Sequence, residues 1–141
     1  MNVTVAKSSG FCSGVQHAVD TAMRVESENV YLLGELIHNP SVTDAVRARG
    51  IITVESVDEV PQGATLILRS HGVGRLVYEA CTQKGIRIID CTCPFVRHTQ
   101  EIVRNSTSIG KTVLVIGEKT HPEVIGRCGW GNGRVLVLED E

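Results

Sequence analysis

The amino-acid sequence predicts an α/β fold: small parallel sheets flanked by helices, in pseudo-repeated α/β modules of which the second is incomplete. Three observations carry this. Short β-branched apolar runs recur along the chain, amphipathic segments separate them, and one strand-to-histidine pattern occurs twice. Strands are expected over residues 3–6, 30–33, 65–68, 87–89, 112–116 and 134–138. Each is a brief apolar run bounded by Gly, Asp, Asn or Ser, as strands buried on both faces should be. Helices are expected over 14–25, 41–49, 75–84 and 95–105, where apolar positions recur at helical spacing. Alternating strands and helices imply parallel layers joined by right-handed crossovers. Gly50 and Gly85 follow helical stretches, as C-terminal capping glycines do. A first domain is expected over residues 1–93 and an incomplete second over 94–141.

Composition narrows the function classes. With 42% hydrophobic and 21% charged residues, the chain is ordinary for a soluble globular protein. A net charge of −2 and no lysine-rich run exclude the basic footprint of a nucleic-acid binder. No run approaches the roughly eighteen apolar residues of a membrane span, and the N-terminus lacks a signal-peptide core. A cytoplasmic location is therefore expected. Five cysteines, an odd number in such a setting, favour metal ligation or thiol chemistry over disulfides.

The repeat directs attention to a site. Val30-Tyr-Leu-Leu-Gly-Glu-Leu-Ile-His38 aligns without gaps on Val113-Leu-Val-Ile-Gly-Glu-Lys-Thr-His121. Cys12 precedes His38, and Cys93 precedes His121, by nearly the same interval. Duplication of a Cys-to-His module explains this; chance matching of strand-Gly segments is the alternative. His38, His71 and His121 all fall just past a strand's carboxyl end, where open α/β sheets collect ligands. Imidazole N–H groups beside helix starts suit an anion site, and the same residues suit a metal. His17 and His98 lie inside helical segments and read as structural.

Cys12 and Cys93 each stand in a loop entering a helix, a setting that stabilises a thiolate. Singly, each would read as a small buried hydrophobe; in equivalent loops they read as ligands. Cys81 reads as a packing residue, Cys91 as a core residue or spare thiol, and Cys128 as no ligand. A zinc site on Cys91, Cys93 and histidines is a weaker reading, because C-x-C is not the paired zinc spacing. Glu123 could reach the same cavity as a proton donor, its acidity weakened by a bound anion; alternatively it complements the dipole of a helix start.

Five ordered segments then resemble the 4-hydroxy-3-methylbut-2-enyl diphosphate reductase (IspH/LytB) family. They are Gly10-Phe-Cys-Ser-Gly-Val15, Ile37-His-Asn-Pro40, Arg69-Ser-His-Gly-Val73, Asp90-Cys-Thr-Cys-Pro-Phe-Val96 and His121-Pro-Glu-Val124. The resemblance is to the N-terminal half of a family whose members are about twice as long. It implies reductive removal of the hydroxyl of an allylic diphosphate, giving isopentenyl and dimethylallyl diphosphates. It implies a 4Fe–4S cluster on three cysteines, with Cys12 and Cys93 as two ligands and the third absent from these residues. His38, His71 and His121 would bind the diphosphate, and Glu123 would belong to proton delivery. A ferredoxin or flavodoxin would supply electrons. Alternatives are a truncated, non-catalytic relative that binds diphosphate or metal, and self-association through the incomplete second domain.

Overall fold

A computed structural model describes residues 2–139. Its elements alternate as the apolar pattern requires. Helix α1 (Ser13–Met23) leads to strand β1 (Val30–Leu33), helix α2 (Pro40–Ala48), strand β2 (Ile52–Val54), a 3₁₀ turn (Val57–Glu59) and strand β3 (Thr65–Leu68). Helix α3 (Arg75–Gln83), strand β4 (Arg87–Asp90), helix α4 (Pro94–Ser108), strand β5 (Val113–Ile116), helix α5 (Pro122–Cys128) and strand β6 (Val135–Leu138) follow.

Strands β2-β1-β3-β4 form one parallel sheet in that spatial order, and β5 pairs with β6 in a second parallel sheet. All four residues of β3 are buried, which is why it reads as a continuous apolar run. Strand alternation then sorts the side chains into two cores. Leu32 and Ile67 pack with Ala18, Ala22, Val42 and Val46 of α1 and α2. Leu33, Leu66 and Leu68 pack with Val57, Val60, Val73 and Cys81 on the opposite face. Both cores are aliphatic, as the shortage of aromatics requires.

Gly50 and Gly85 sit at φ +78° and +64°, the left-handed conformation of a capping glycine. Residues 3–6 correct the expectation of a strand. They pair with nothing described, and Val3 and Val5 are exposed. Strand structure needs a ladder partner, and both edges of β1 are occupied by β2 and β3. Conversely, β2, the 3₁₀ turn and α5 were not expected. They are three, three and seven residues long, too short for a periodic signal to rise above the surrounding loop. No helix among the described residues is long and apolar enough to cross a membrane.

Candidate functional site

The loops leaving β1, β3 and β4 and the one entering α5 carry the sequence-predicted residues, and short backbone links hold the first three together. Ser70, buried after β3, donates from its hydroxyl to the Leu36 carbonyl at 3.0 Å and from its N–H to the same oxygen at 3.2 Å. Its own carbonyl accepts the N–H of Cys93 at 2.9 Å. One serine thus ties the His38 loop, the His71 turn and the Cys93 loop. Its neighbour in the Arg-Ser-His-Gly segment drew the attention at the sequence level, and Ser70 itself was overlooked.

Helix starts orient the side chains. Asn39 caps α2, accepting the N–H of Val42, and Pro40 opens the helix immediately after His38. His121 is itself the N-cap of α5: its Nδ1 accepts the N–H of Glu123 at 3.2 Å, with Pro122 in the first turn. An accepting Nδ1 leaves Nε2 as the N–H of the ring. His38 Nδ1 lies 3.2 Å from Glu35 Oε2; a carboxylate only accepts, so that nitrogen donates.

The result is a cluster of three imidazoles. The His38 and His71 ring centroids are 4.6 Å apart, His71 and His121 5.7 Å, and His38 and His121 6.1 Å. Residues far apart in sequence therefore stand side by side. His71 is the innermost: its Nδ1 is buried without a hydrogen-bond partner in the protein. Burial, then the neighbouring His38, Arg69 and His121, lower its proton affinity, and Glu123 opposes them. A buried ring nitrogen without a partner, beside Arg69 and two further imidazoles, is a polar group that a phosphate oxygen could satisfy.

Arg69 is the second residue that sequence reasoning missed. Its Nε is buried and unpartnered, and its Nη1 presses on Gly34, where a Cβ would come within 2.5 Å. Burial lowers its pKa, yet a guanidinium stays charged at neutral pH. The scattering of cations along the sequence concealed this one beside the histidines.

Cys12 and Cys93 are the N-caps of α1 and α4, and neither side chain makes a capping hydrogen bond. Both are free thiols, Cys12 exposed and Cys93 half-buried. The two segments touch: a Cβ on Gly14 would lie 2.5 Å from Cys93 Sγ, so a larger residue there would force the sulfur to move. Asp90 shapes the second loop. It accepts the N–H of Thr92 at 2.9 Å, the hydroxyl of Tyr78 at 2.7 Å and the guanidinium of Arg97 at 2.8 Å.

The remaining cysteines lie apart. Cys81 and Cys91 are fully buried in the two cores, and burial followed by the charge of Asp90 pushes the Cys91 thiol up to about 12. Among the described residues no group of three or more His, Cys, Asp or Glu side chains is arranged to hold a metal ion. Glu123 is close enough to act on His71, but its carboxylate is engaged by Arg127 one helical turn on. A cavity of about 400 Å³ lies elsewhere, along α1 and the 24–27 loop, and includes none of these groups.

The LytB protein family matches residues 3–141. The chain belongs to that family. Relatives of the LytB chain include the 4-hydroxy-3-methylbut-2-enyl diphosphate reductase of Thermoanaerobacter sp. (strain X514), 40% identical over 144 residues, covering 98% of this chain and 50% of the relative. The reductase of Alkaliphilus oremlandii is 41% identical over 145 residues, covering 100% and 52% respectively. Among solved structures, (E)-4-hydroxy-3-methyl-but-2-enyl diphosphate reductase, described as the terminal enzyme of the non-mevalonate pathway, matches with a TM-score of 0.82. It is 40% identical, over 98% of this chain and 51% of that one. The corresponding reductase from Plasmodium falciparum matches with a TM-score of 0.88 at 28% identity, over 94% of this chain and 42% of its own. The LytB chain thus spans about half the length of the curated relatives it matches.

Proposed function

We propose that this chain forms the diphosphate-binding part, and half or more of the cluster-binding part, of a 4-hydroxy-3-methylbut-2-enyl diphosphate reductase. The observation that carries this is the convergence of His38, His71 and His121 from three loops into one cluster of imidazoles. His121 offers its Nε2–H to a phosphate oxygen because its Nδ1 is already used as a helix cap. His71 and the half-buried Arg69 would supply the inner, partly desolvated contacts, where a hydrogen bond to an anion is stronger. Residues 1–93 would form the first domain and 94–141 part of a second.

The thiol pair fits the cofactor that the family resemblance implies. Two unpaired cysteines at helix N-termini, in contact across Gly14, offer soft sulfur ligands side by side. Cys12 and Cys93 would hold two irons of a 4Fe–4S cluster, with a third thiolate from outside these residues. When bound, the cluster would supply electrons and a Lewis-acidic iron for the departing hydroxyl oxygen. Glu123 would deliver a proton after exchanging its contact with Arg127. A ferredoxin or flavodoxin is the proposed electron donor, in the cytoplasm. The apolar outer face of β5 and β6 would be covered by further polypeptide or by a second copy of the chain.

The test is titration with inorganic pyrophosphate by calorimetry. Wild-type binding that is lost at least tenfold in His38→Ala, His71→Ala and His121→Ala is expected, each removing a charged-group hydrogen bond of about 1.5–3 kcal/mol. Equal affinity in all three variants would sink the anion site. Anaerobic reconstitution with iron and sulfide, together with the C-terminal half of a relative, should give broad visible absorbance that requires both Cys12 and Cys93.

A further inference from the structure

Helix α5 has only seven residues, yet its first residue must set the position of His121 to within hydrogen-bond tolerance. So short a helix has little stability or direction of its own, and its contacts decide where it lies. Those contacts are with α4 and, towards its far end, with the loop after His71. Gly126 lies against the backbone of Gly72, and a Cβ on Gly129 would come within 2.6 Å of Gly74 Cα. The helix therefore rests directly on the loop that follows His71, backbone on backbone.

Trp130, in the turn that ends α5, spans this junction. Its indole N–H donates to the carbonyl of Val73 at 2.9 Å, two residues beyond His71. Among the described residues, the only other side-chain donor on that oxygen is the Gln100 amide at 3.5 Å, a much weaker contact. The indole ring also lies 5.8 Å from the Tyr78 ring, and the Arg104 guanidinium lies 5.9 Å from its centroid. Tyr78 in turn donates to Asp90, which shapes the Cys93 loop. One side chain thus joins the α5 turn to the His71 loop and, through Tyr78, to the loop of Cys93.

We propose that Trp130 is a positioning residue: its hydrogen bond to Val73 holds α5 at the angle that brings His121 and His71 into one anion site. The consequence for ligand binding rests on the diphosphate reading above; the effect on the ring geometry does not. Trp130→Phe keeps an aromatic ring between Tyr78 and Arg104 and deletes the N–H, so it isolates the hydrogen bond.

In the ligand-free chain, side-chain NMR of Trp130→Phe should show displaced His71 and His121 imidazole resonances and a weakened contact between the two rings. Loss of one hydrogen bond should weaken pyrophosphate binding about three- to tenfold. That loss should vanish in a His121→Ala background, which a general loss of stability would not do. Unchanged imidazole resonances overturn the proposal, as does a binding defect of full size in the His121→Ala background. If wild type fails to bind pyrophosphate, the diphosphate reading fails and the ring-to-ring contact alone decides the role of Trp130. Should Trp130→Phe not fold, Gly129→Ala, whose methyl would crowd Gly74, must weaken the same contact; an intact contact there overturns the proposal.

Discussion

At the residue scale, His71 is the group whose environment departs furthest from water among the site's histidines. Its folded-state proton affinity is lowered, by burial first and then by His38, Arg69 and His121, against Glu123. These are the charged and titratable groups facing it from β1, β3 and α5. Below an unfolded pKa of about 6.5, the unfolded chain takes up a proton that the folded ring resists. His71 therefore contributes stability above that pH, and the contribution falls away as pH drops towards the folded value. The melting temperature of wild type should fall between pH 7.5 and pH 5.5 by more than that of His71→Gln. An equal fall in both would assign the acid sensitivity to other groups. A bound pyrophosphate should reverse the sign at this residue, because an anion favours the imidazolium, so its affinity should rise on mild acidification. The same neighbours that destabilise the empty ring's charge make it a receptive donor to phosphate.

At the scale of elements, the site depends on where helices begin. Cys12, Asn39, Cys93 and His121 are all N-caps, so four helix starts aim functional loops at one region. The contact between the first and third of these is tight. Gly14→Ala would place a methyl 2.5 Å from Cys93 Sγ and 3.3 Å from its Cβ. The sulfur can escape by rotating about χ1, at about 0.5–1.5 kcal/mol, while replacing a helical glycine recovers up to about 1 kcal/mol. These nearly cancel, so stability should change by less than about 1 kcal/mol. The direction of the Cys93 thiol should change instead. Its alkylation rate should shift severalfold relative to that of Cys12, with nearly unchanged melting. A large loss of stability with unaltered Cys93 reactivity would show that the helices, not the rotamer, absorb the methyl.

At the scale of the molecule, the two sheets differ in how well they are covered. The four-stranded sheet buries both faces under helices and the 3₁₀ turn, whereas the β5–β6 pair leaves one face open. Val115 faces inward at 5% exposure, while Leu114, Ile116, Leu136 and Leu138 are 52–75% exposed. Parallel sheets are normally covered on both faces, so a bare aliphatic face is a candidate for association. The chain by itself should sediment as a dimer or larger species in a concentration-dependent way. Ile116→Lys with Leu136→Lys should restore the monomer and, being surface changes, leave melting nearly unaltered. A wild-type chain that stays monomeric at high concentration would refute self-association through this face.

What could be read in the sequence divides along a physical line. Strands β1, β3, β4, β5 and β6, helices α1 to α4 and the capping role of Gly50 and Gly85 follow from local pattern, because burial imposes a period on each element. The family, too, was legible, since its motifs are runs of adjacent residues. Pairing is not local, so residues 3–6 resembled a strand without having a partner, while β2 was recognised only by its place beside β1. The chemistry-bearing side chains were named from their loops. Tertiary structure alone decided that three histidines stand within 6.1 Å of one another. It also showed that Ser70 ties three of the site's loops and that the half-buried Arg69 lies beside them. Distances between loops are set by how the sheet twists and by which backbones can touch, and no spacing along the chain encodes that.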